Sequence, residues 1–198
     1  MHKAALMLLA VLLGGAARAD ETTIRPGDII DAAIGDWNRD GLDDLAILAV
    51  TQPEENNEIG VYVYFRDEQA DGSLLTLMLS VPDKVWGGRF HGHEPSIKAL
   101  ENGSIAITTQ NSSIGREHWK HTLSLAWRND RFLVAGLTFS FHDTSQEEHV
   151  SLICDLNLLT GKGIVNGRPT TFVPLSLTLD EWVHEGGDDP GTAICRGR

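Results

Sequence analysis

From position 121 the chain alternates with period two. Leu123, Leu125 and Trp127 fall on one parity, and Thr122, Ser124 and Arg128 on the other. Asn129-Asp130 then supplies a turn, and Leu133, Ala135, Leu137, Phe139 and Phe141 repeat the alternation. Successive strand side chains leave opposite faces of the backbone, so this spacing collects apolar groups on one face of a strand and would scatter them around a helix. Two such runs joined by a tight polar turn predict an antiparallel pair.

The neighbouring sequence extends the pair. Residues 96–100 and 104–109 flank Glu101-Asn102-Gly103, and Asn-Gly is a strong hairpin signal. Residues 96–141 therefore predict a four-stranded antiparallel meander. Further strands are expected at 29–34, 45–50, 59–65, 73–81, 150–156 and 171–179. The pair 59–65 and 73–81 would form a hairpin through Asp71-Gly72. A short helix is expected over 177–183, with Asp180 and Glu181 near its start. Nowhere is a helical period sustained. The expected fold is all-β, a meander with sandwich-like or partial propeller-like sheets, in one domain over 20–198. The loop-rich stretch 82–95 is the candidate subdivision. With 41% hydrophobic and 22% charged residues the composition is that of a globular protein. The net charge of -12 argues against binding a nucleic-acid backbone.

Residues 1–19 have the layout of a cleaved signal peptide. His2 and Lys3 precede an apolar run over 4–13, and Ala17-Arg18-Ala19 forms a small-x-small cleavage site. The run is shorter than the roughly 20 residues a membrane span needs. The expectation is a periplasmic or secreted protein with no membrane span. Cleavage would remove Lys3 and Arg18 and no acid, which makes the mature chain still more acidic. In an oxidising compartment Cys154 and Cys195 are expected to pair. On the chain-entropy account, a bridge across 41 positions stabilises by about 4 kcal/mol.

Asp36-Trp37-Asn38-Arg39-Asp40-Gly41-Leu42-Asp43-Asp44-Leu45 reads D-x-N-x-D-G-x-x-D-L. Oxygen-bearing side chains occupy loop positions 1, 3, 5 and 9, on Asp36, Asn38, Asp40 and Asp44. The alternate spacing turns them toward one centre, Gly41 allows a sharp turn, and Leu42 offers its carbonyl. Hard oxygen donors with three carboxylates suit Ca²⁺. The loop is not an EF-hand, because position 12 is Ile47 where that motif places a bidentate Glu. Apolar strand-like sequence flanks it on both sides.

The stretch AAIGDWNRDGLDDLAIL resembles the FG-GAP/VCBS-type repeat over about 20 residues, 30–50. The resemblance implies calcium held by Asp36, Asn38, Asp40, Asp44 and the Leu42 carbonyl, in a loop that feeds a β-strand. It also implies a β-propeller that recognises a protein or carbohydrate. A propeller repeats such loops through several blades, and this chain has one intact copy. A compact β-sheet domain with a single such loop is therefore expected.

His91-Gly92-His93-Glu94 is a candidate second metal site, since two imidazoles and a carboxylate suit Zn²⁺ or Cu²⁺. On a strand His91 and His93 would face the same way. His118 and His121, three apart, would point to opposite faces. His142, Asp143 and His149 are expected to be exposed around an acidic loop. Trp127 reads as core, and Trp37 and Trp86 as surface aromatics. Ser112-Ser113-Ile114-Gly115 is no nucleophile elbow, and Gly161-Lys162-Gly163 lacks the later glycines of a dinucleotide loop. No catalytic residue is assigned. The functional expectation is an exported, calcium-stabilised, β-rich binding or structural module of the cell envelope. The alternatives are a small periplasmic hydrolase or metal-dependent enzyme working from His91, His93 and Glu94, and an inhibitor or accessory protein whose acidic surface docks a basic partner.

Overall fold

The alternating and apolar stretches become strands in a computed structural model, which describes residues 24–50, 59–67, 74–145, 151–183 and 189–197. The signal peptide expected at 1–19, and His149, lie outside the described residues. The strands β1 (Ile29–Gly35), β2 (Asp44–Val50), β3 (Ile59–Asp67) and β4 (Leu74–Val85) form one sheet in that order. The strands β5 (Ser96–Ala99), β6 (Ser104–Asn111), β7 (Glu117–Arg128), β8 (Arg131–Asp143), β9 (Ser151–Asn157), β10 (Lys162–Val165) and β11 (Arg168–Thr171) form a second. Every neighbouring pair is antiparallel. The fold is all-β, and the 96–141 meander is present as β5 to β8.

The sheets share one core. Leu48, Val61 and Val63 of the first meet Ile105, Leu125 and Leu137 of the second. β2 is buried on both faces. Ile47 and Ala49 join Tyr62 in a smaller cluster, with Ile24, Ile29, Leu45 and Tyr64 packed around it. Two covered faces account for the unbroken apolar run 45–50. Residues 86–95 carry the chain from β4 to β5, from one sheet to the other. β1 also meets the edge strand β5, where Asp31 Oδ2 accepts the Ile97 amide at 2.9 Å. That bond satisfies an N–H the sheet edge would leave unpaired.

Four expectations are corrected. The register of β7 against β8 shifts at Ser124/Leu125, which leaves Ala135 as an extra residue. The bulge reverses the alternation. Phe132 and Val134, rather than Leu133 and Ala135, join Leu137 and Phe139 in the shared core. The expected strand over 171–179 is irregular beyond Thr171, with a single bridge between Leu133 and Thr178. Pro174 has no amide to give a ladder. The sheet instead gains β10 and β11, joined by Asn166-Gly167, both at positive φ. Such a pair fits the twist of a two-residue hairpin.

The helix expected over 177–183 is a turn. Glu181 Oε2 accepts from the Thr178 amide and hydroxyl at 2.9 and 3.0 Å. The described α-helix is α1 (Pro190–Cys195), with Asp189 as its N-cap and Pro190 in the first turn, where a missing N–H costs nothing. Cys195 at its end is joined to Cys154 of β9 in a disulfide. Lastly, Trp37 is buried rather than exposed, at 3%.

Candidate functional site

The loop between β1 and β2 holds the oxygen-rich motif. Asp36 accepts the Asp40 and Gly41 amides at 3.1 and 3.0 Å. Asn38 Oδ1 accepts the Asp40 amide at 3.0 Å, and Asp40 Oδ1 the Leu42 amide at 2.8 Å. Asn38 Nδ2 donates to Asp40 Oδ2 at 2.6 Å. Asp44 stands apart in role. It is buried, and its two oxygens accept the Trp37 and Arg66 amides at 3.0 and 3.1 Å. It thereby fastens the loop to β3. Burial pushes its carboxyl above the usual carboxylate range, against those two hydrogen bonds, and Asp40 and Asp36 add repulsion. Hard oxygen donors of this kind suit Ca²⁺, while among the described residues no three His, Cys, Asp or Glu side chains form a group that could hold a metal ion. Trp37 roots the loop from below, and a Cβ on Gly35 would lie 3.1 Å from its ring.

The 91–94 segment is not a strand, and Gly92 at φ 82 breaks the alternation. The His91 side chain is exposed, with Nδ1 3.9 Å from Glu94 Oε1. His93 turns the other way, 4.8 Å from the Trp86 ring, with Nε2 3.0 Å from Asn111 Oδ1. Glu94 Oε2 accepts the Gly92 amide at 2.7 Å. The structure does not bring the two imidazoles to one centre. His118 and His121 do face opposite ways: His118 stacks edge-on against His142 at 5.3 Å. His142 is exposed as expected. Asp143 is buried, because it accepts from the Ser145 amide and hydroxyl and lies 3.7 Å from Arg116.

A third site was not read from the sequence. It is a cavity of about 390 Å³ between the sheets and the C-terminal segment. Strand register builds its floor. On β7, Trp119, His121 and Leu123 share a face by i, i+2 spacing. Across from them stand Phe141, Phe139 and Leu137 on β8, and Thr109 and Ile107 of β6 lie opposite His121 and Leu123. The walls are Lys84 and Val85 at the end of β4, Trp86 beyond it, Leu179 and Trp182 of the turn, and the α1 segment. Trp86 lies 4.9 Å from Trp119, and it is half exposed, as expected of a surface aromatic.

One polar assembly stands in this apolar chamber. Asp189 Oδ2 lies 3.0 Å from His121 Nε2 and accepts the Thr192 hydroxyl at 2.6 Å. Asp189 Oδ1 accepts the Gly191 and Thr192 amides at 2.9 and 3.0 Å. Burial works to raise the Asp189 carboxyl, but the His121 hydrogen bond and charge and the Thr192 donors outweigh it and hold it at about 2. The Trp182 indole is buried, and its Nε1 has no hydrogen-bond partner among the described residues.

The sequence did carry weak signals for this site. A histidine on an apolar strand face and Asp189-Pro190, the N-cap and first-turn pair, were both visible. Nothing linked them across 68 positions. Among the described residues no helix is long and apolar enough to cross a membrane. No protein family, curated protein or solved structure matches the chain.

Proposed function

We propose that the protein is an exported, calcium-stabilised β-sandwich of the cell envelope that binds a small molecule in the chamber floored by β6, β7 and β8. One observation carries this reading: three tryptophans and two phenylalanines wall a chamber of about 390 Å³ around a fixed His121–Asp189 pair. Ligand sites have this composition, a concave apolar lining with a few oriented polar groups, and this size range. The disulfide supports export, because such bonds persist in oxidising compartments. The loop donors Asp36, Asn38, Asp40, Asp44 and the Leu42 carbonyl would hold calcium and brace the β1–β2 turn. The ion adds charge neutralisation to that loop and takes no part in the chamber.

The test is titration with N-phenyl-1-naphthylamine, an uncharged two-ring probe whose emission rises in apolar surroundings. Saturable binding by the wild-type protein, lost when Thr109→Trp fills the floor, is the expected result. Emission that never saturates, or that is equal in Thr109→Trp, overturns the reading.

A further inference from the structure

Most polar groups in the chamber wall are already engaged by the protein itself. Asp189 accepts two amides and a hydroxyl and meets His121. Lys84 Nζ donates to the Asp180 carbonyl at 3.2 Å and has the Asp180 and Asp83 charges beside it. The Arg196 guanidinium lies 5.9 Å from the centre of the Phe141 ring. Trp182 Nε1 is sealed from solvent, so no ligand reaches it in this arrangement. Lys84 and Asp189 thus have charged neighbours of their own, and neither calls for a charged ligand.

His121 is different. Its ring lines the chamber, and its side chain keeps 14% of its surface accessible. Nε2 is taken by Asp189. Nδ1 has no hydrogen-bond partner among the described residues, and it is not sealed as Trp182 Nε1 is. The Asp189 carboxylate, held at about 2, can only accept. The proton of the neutral ring therefore sits on Nε2, and Nδ1 is left with a lone pair. Strand register gives that lone pair a neighbour. Thr109 stands opposite His121 on β6, on the same chamber floor. The adjacent threonines of the other face, Thr108 and Thr122, bond each other at 2.9 Å. The Thr109 hydroxyl has no such partner among the described residues. An acceptor and a hydroxyl thus lie on directly paired positions in an otherwise apolar floor.

We infer that the chamber takes an uncharged ring compound bearing a hydroxyl group, whose O–H donates to His121 Nδ1 and whose body packs against Trp119, Phe139 and Phe141. The inference rests on the reading of the chamber as a binding site and names the class of molecule it takes. Asp189 is a positioning residue in this scheme. It fixes which ring nitrogen carries the proton. An analogue without the O–H leaves Nδ1 unpaired in a partly dry site, and unpaired polar groups are what make such a site discriminate. The Thr109 hydroxyl beside it can donate to the ligand oxygen.

The experiment measures displacement of N-phenyl-1-naphthylamine from the full chain, its disulfide intact, at pH 8. The competitors are 2-naphthalenemethanol and its methyl ether, which share ring system and oxygen; only the alcohol has an O–H to give. The alcohol is expected to bind about tenfold more tightly than the ether. His121→Phe, which cannot accept, and Asp189→Asn are each expected to bring that ratio to about one. In Asp189→Asn, Oδ1 still accepts the Gly191 and Thr192 amides, so the new N–H₂ faces His121 Nε2. Its donation there moves the ring proton to Nδ1. Unfolding curves are run on each variant. Asp189→Asn keeps the hydrogen-bonded shape and is expected to fold even if His121→Phe, which strands a buried carboxylate, does not. Equal affinity for alcohol and ether, tighter binding of the ether, or a tenfold preference that survives in either folded variant overturns the hydroxyl assignment and leaves the chamber a binding site. Failure of N-phenyl-1-naphthylamine to bind, or equal binding in Thr109→Trp, overturns the binding-site reading and the assignment with it.

Discussion

His121 Nε2 lies 3.0 Å from Asp189 Oδ2, and that contact joins the middle of the chamber floor to the first turn of α1. Asp189 performs two tasks at once. It caps the helix through the Gly191 and Thr192 amides and it fixes the imidazole across the chamber. The helix has only six residues, too few to persist without tertiary support. Its position therefore depends on this pair at one end and on the Cys154–Cys195 disulfide at the other.

Removing the carboxylate is expected to cost more than a helix cap. Asp189→Ala loses the cap and leaves the His121 ring without its partner. The expected destabilisation is about 3 kcal/mol, read from urea unfolding, above the roughly 1 kcal/mol of a cap alone. A loss of 1 kcal/mol or less would show that His121 contributes nothing to the fold.

Acid titration of the same group gives a signed prediction. The folded pKa of about 2 lies below the ordinary aspartate value of 3.8. The stability this contributes is fully present above pH ~4 and is lost as pH falls through about 2, to a depth of about 2 kcal/mol. Urea unfolding between pH 5 and pH 2 is expected to show that fall. The fall is expected to be shallower in Asp189→Asn, and an identical slope would contradict the assignment.

Calcium is expected to raise the melting temperature, and EDTA to reverse the rise. With free calcium at ~100-fold the dissociation constant the gain is about 2.7 kcal/mol. Asp36→Ala and Asp40→Ala are expected to abolish the response, and an unchanged response in both would remove these residues from the ligand set. Asp44→Ala is expected to behave differently, destabilising even in EDTA by about 2 kcal/mol, because it strands the buried Trp37 amide and the part-buried Arg66 amide.

Reduction of the Cys154–Cys195 bond is expected to cost about 2–4 kcal/mol. Because α1 forms part of the chamber wall, reduction is also expected to weaken N-phenyl-1-naphthylamine binding under conditions where far-ultraviolet circular dichroism still reports folded sheets. Full probe affinity after reduction would show that the helix stays in place without the bond.

Trp37→Ala is expected to be among the costliest single changes, at about 3–5 kcal/mol in chemical unfolding. The ring lies in the shared core beneath the oxygen-rich loop. A cost under 1 kcal/mol would mean that the loop does not depend on it.

Local patterns made the strands legible. Alternation along β7, the apolar run of β2 and the Asn-Gly turn after β5 each express their structure within a few residues, because strand period and turn chemistry are short-range properties. The bulge at Ala135 was not legible. One extra residue in a ladder is set by what the partner strand requires, and here it moved Val134 into the core in place of Ala135. Trp37 was misread for a related reason. A loop residue is exposed only if nothing lies beneath the loop, and here the core does.

The oxygen-rich loop was legible as a pattern, but the fastening of Asp44 to the Arg66 amide became visible only with β3 alongside. The chamber was further out of reach. Its walls come from positions as distant as Lys84 and Arg196, and each contributing segment reads locally as ordinary strand, turn or tail. By itself the sequence determined an all-β chain, most of its strand positions, an acidic loop with calcium-type spacing and the pair of cysteines available to bridge. Only the tertiary structure decided which faces meet, that Trp37 is core, and that His121 and Asp189 touch. The physical reason is range: propensity and periodicity act over a few residues, and a cavity is defined by side chains whose only relation is their distance after folding.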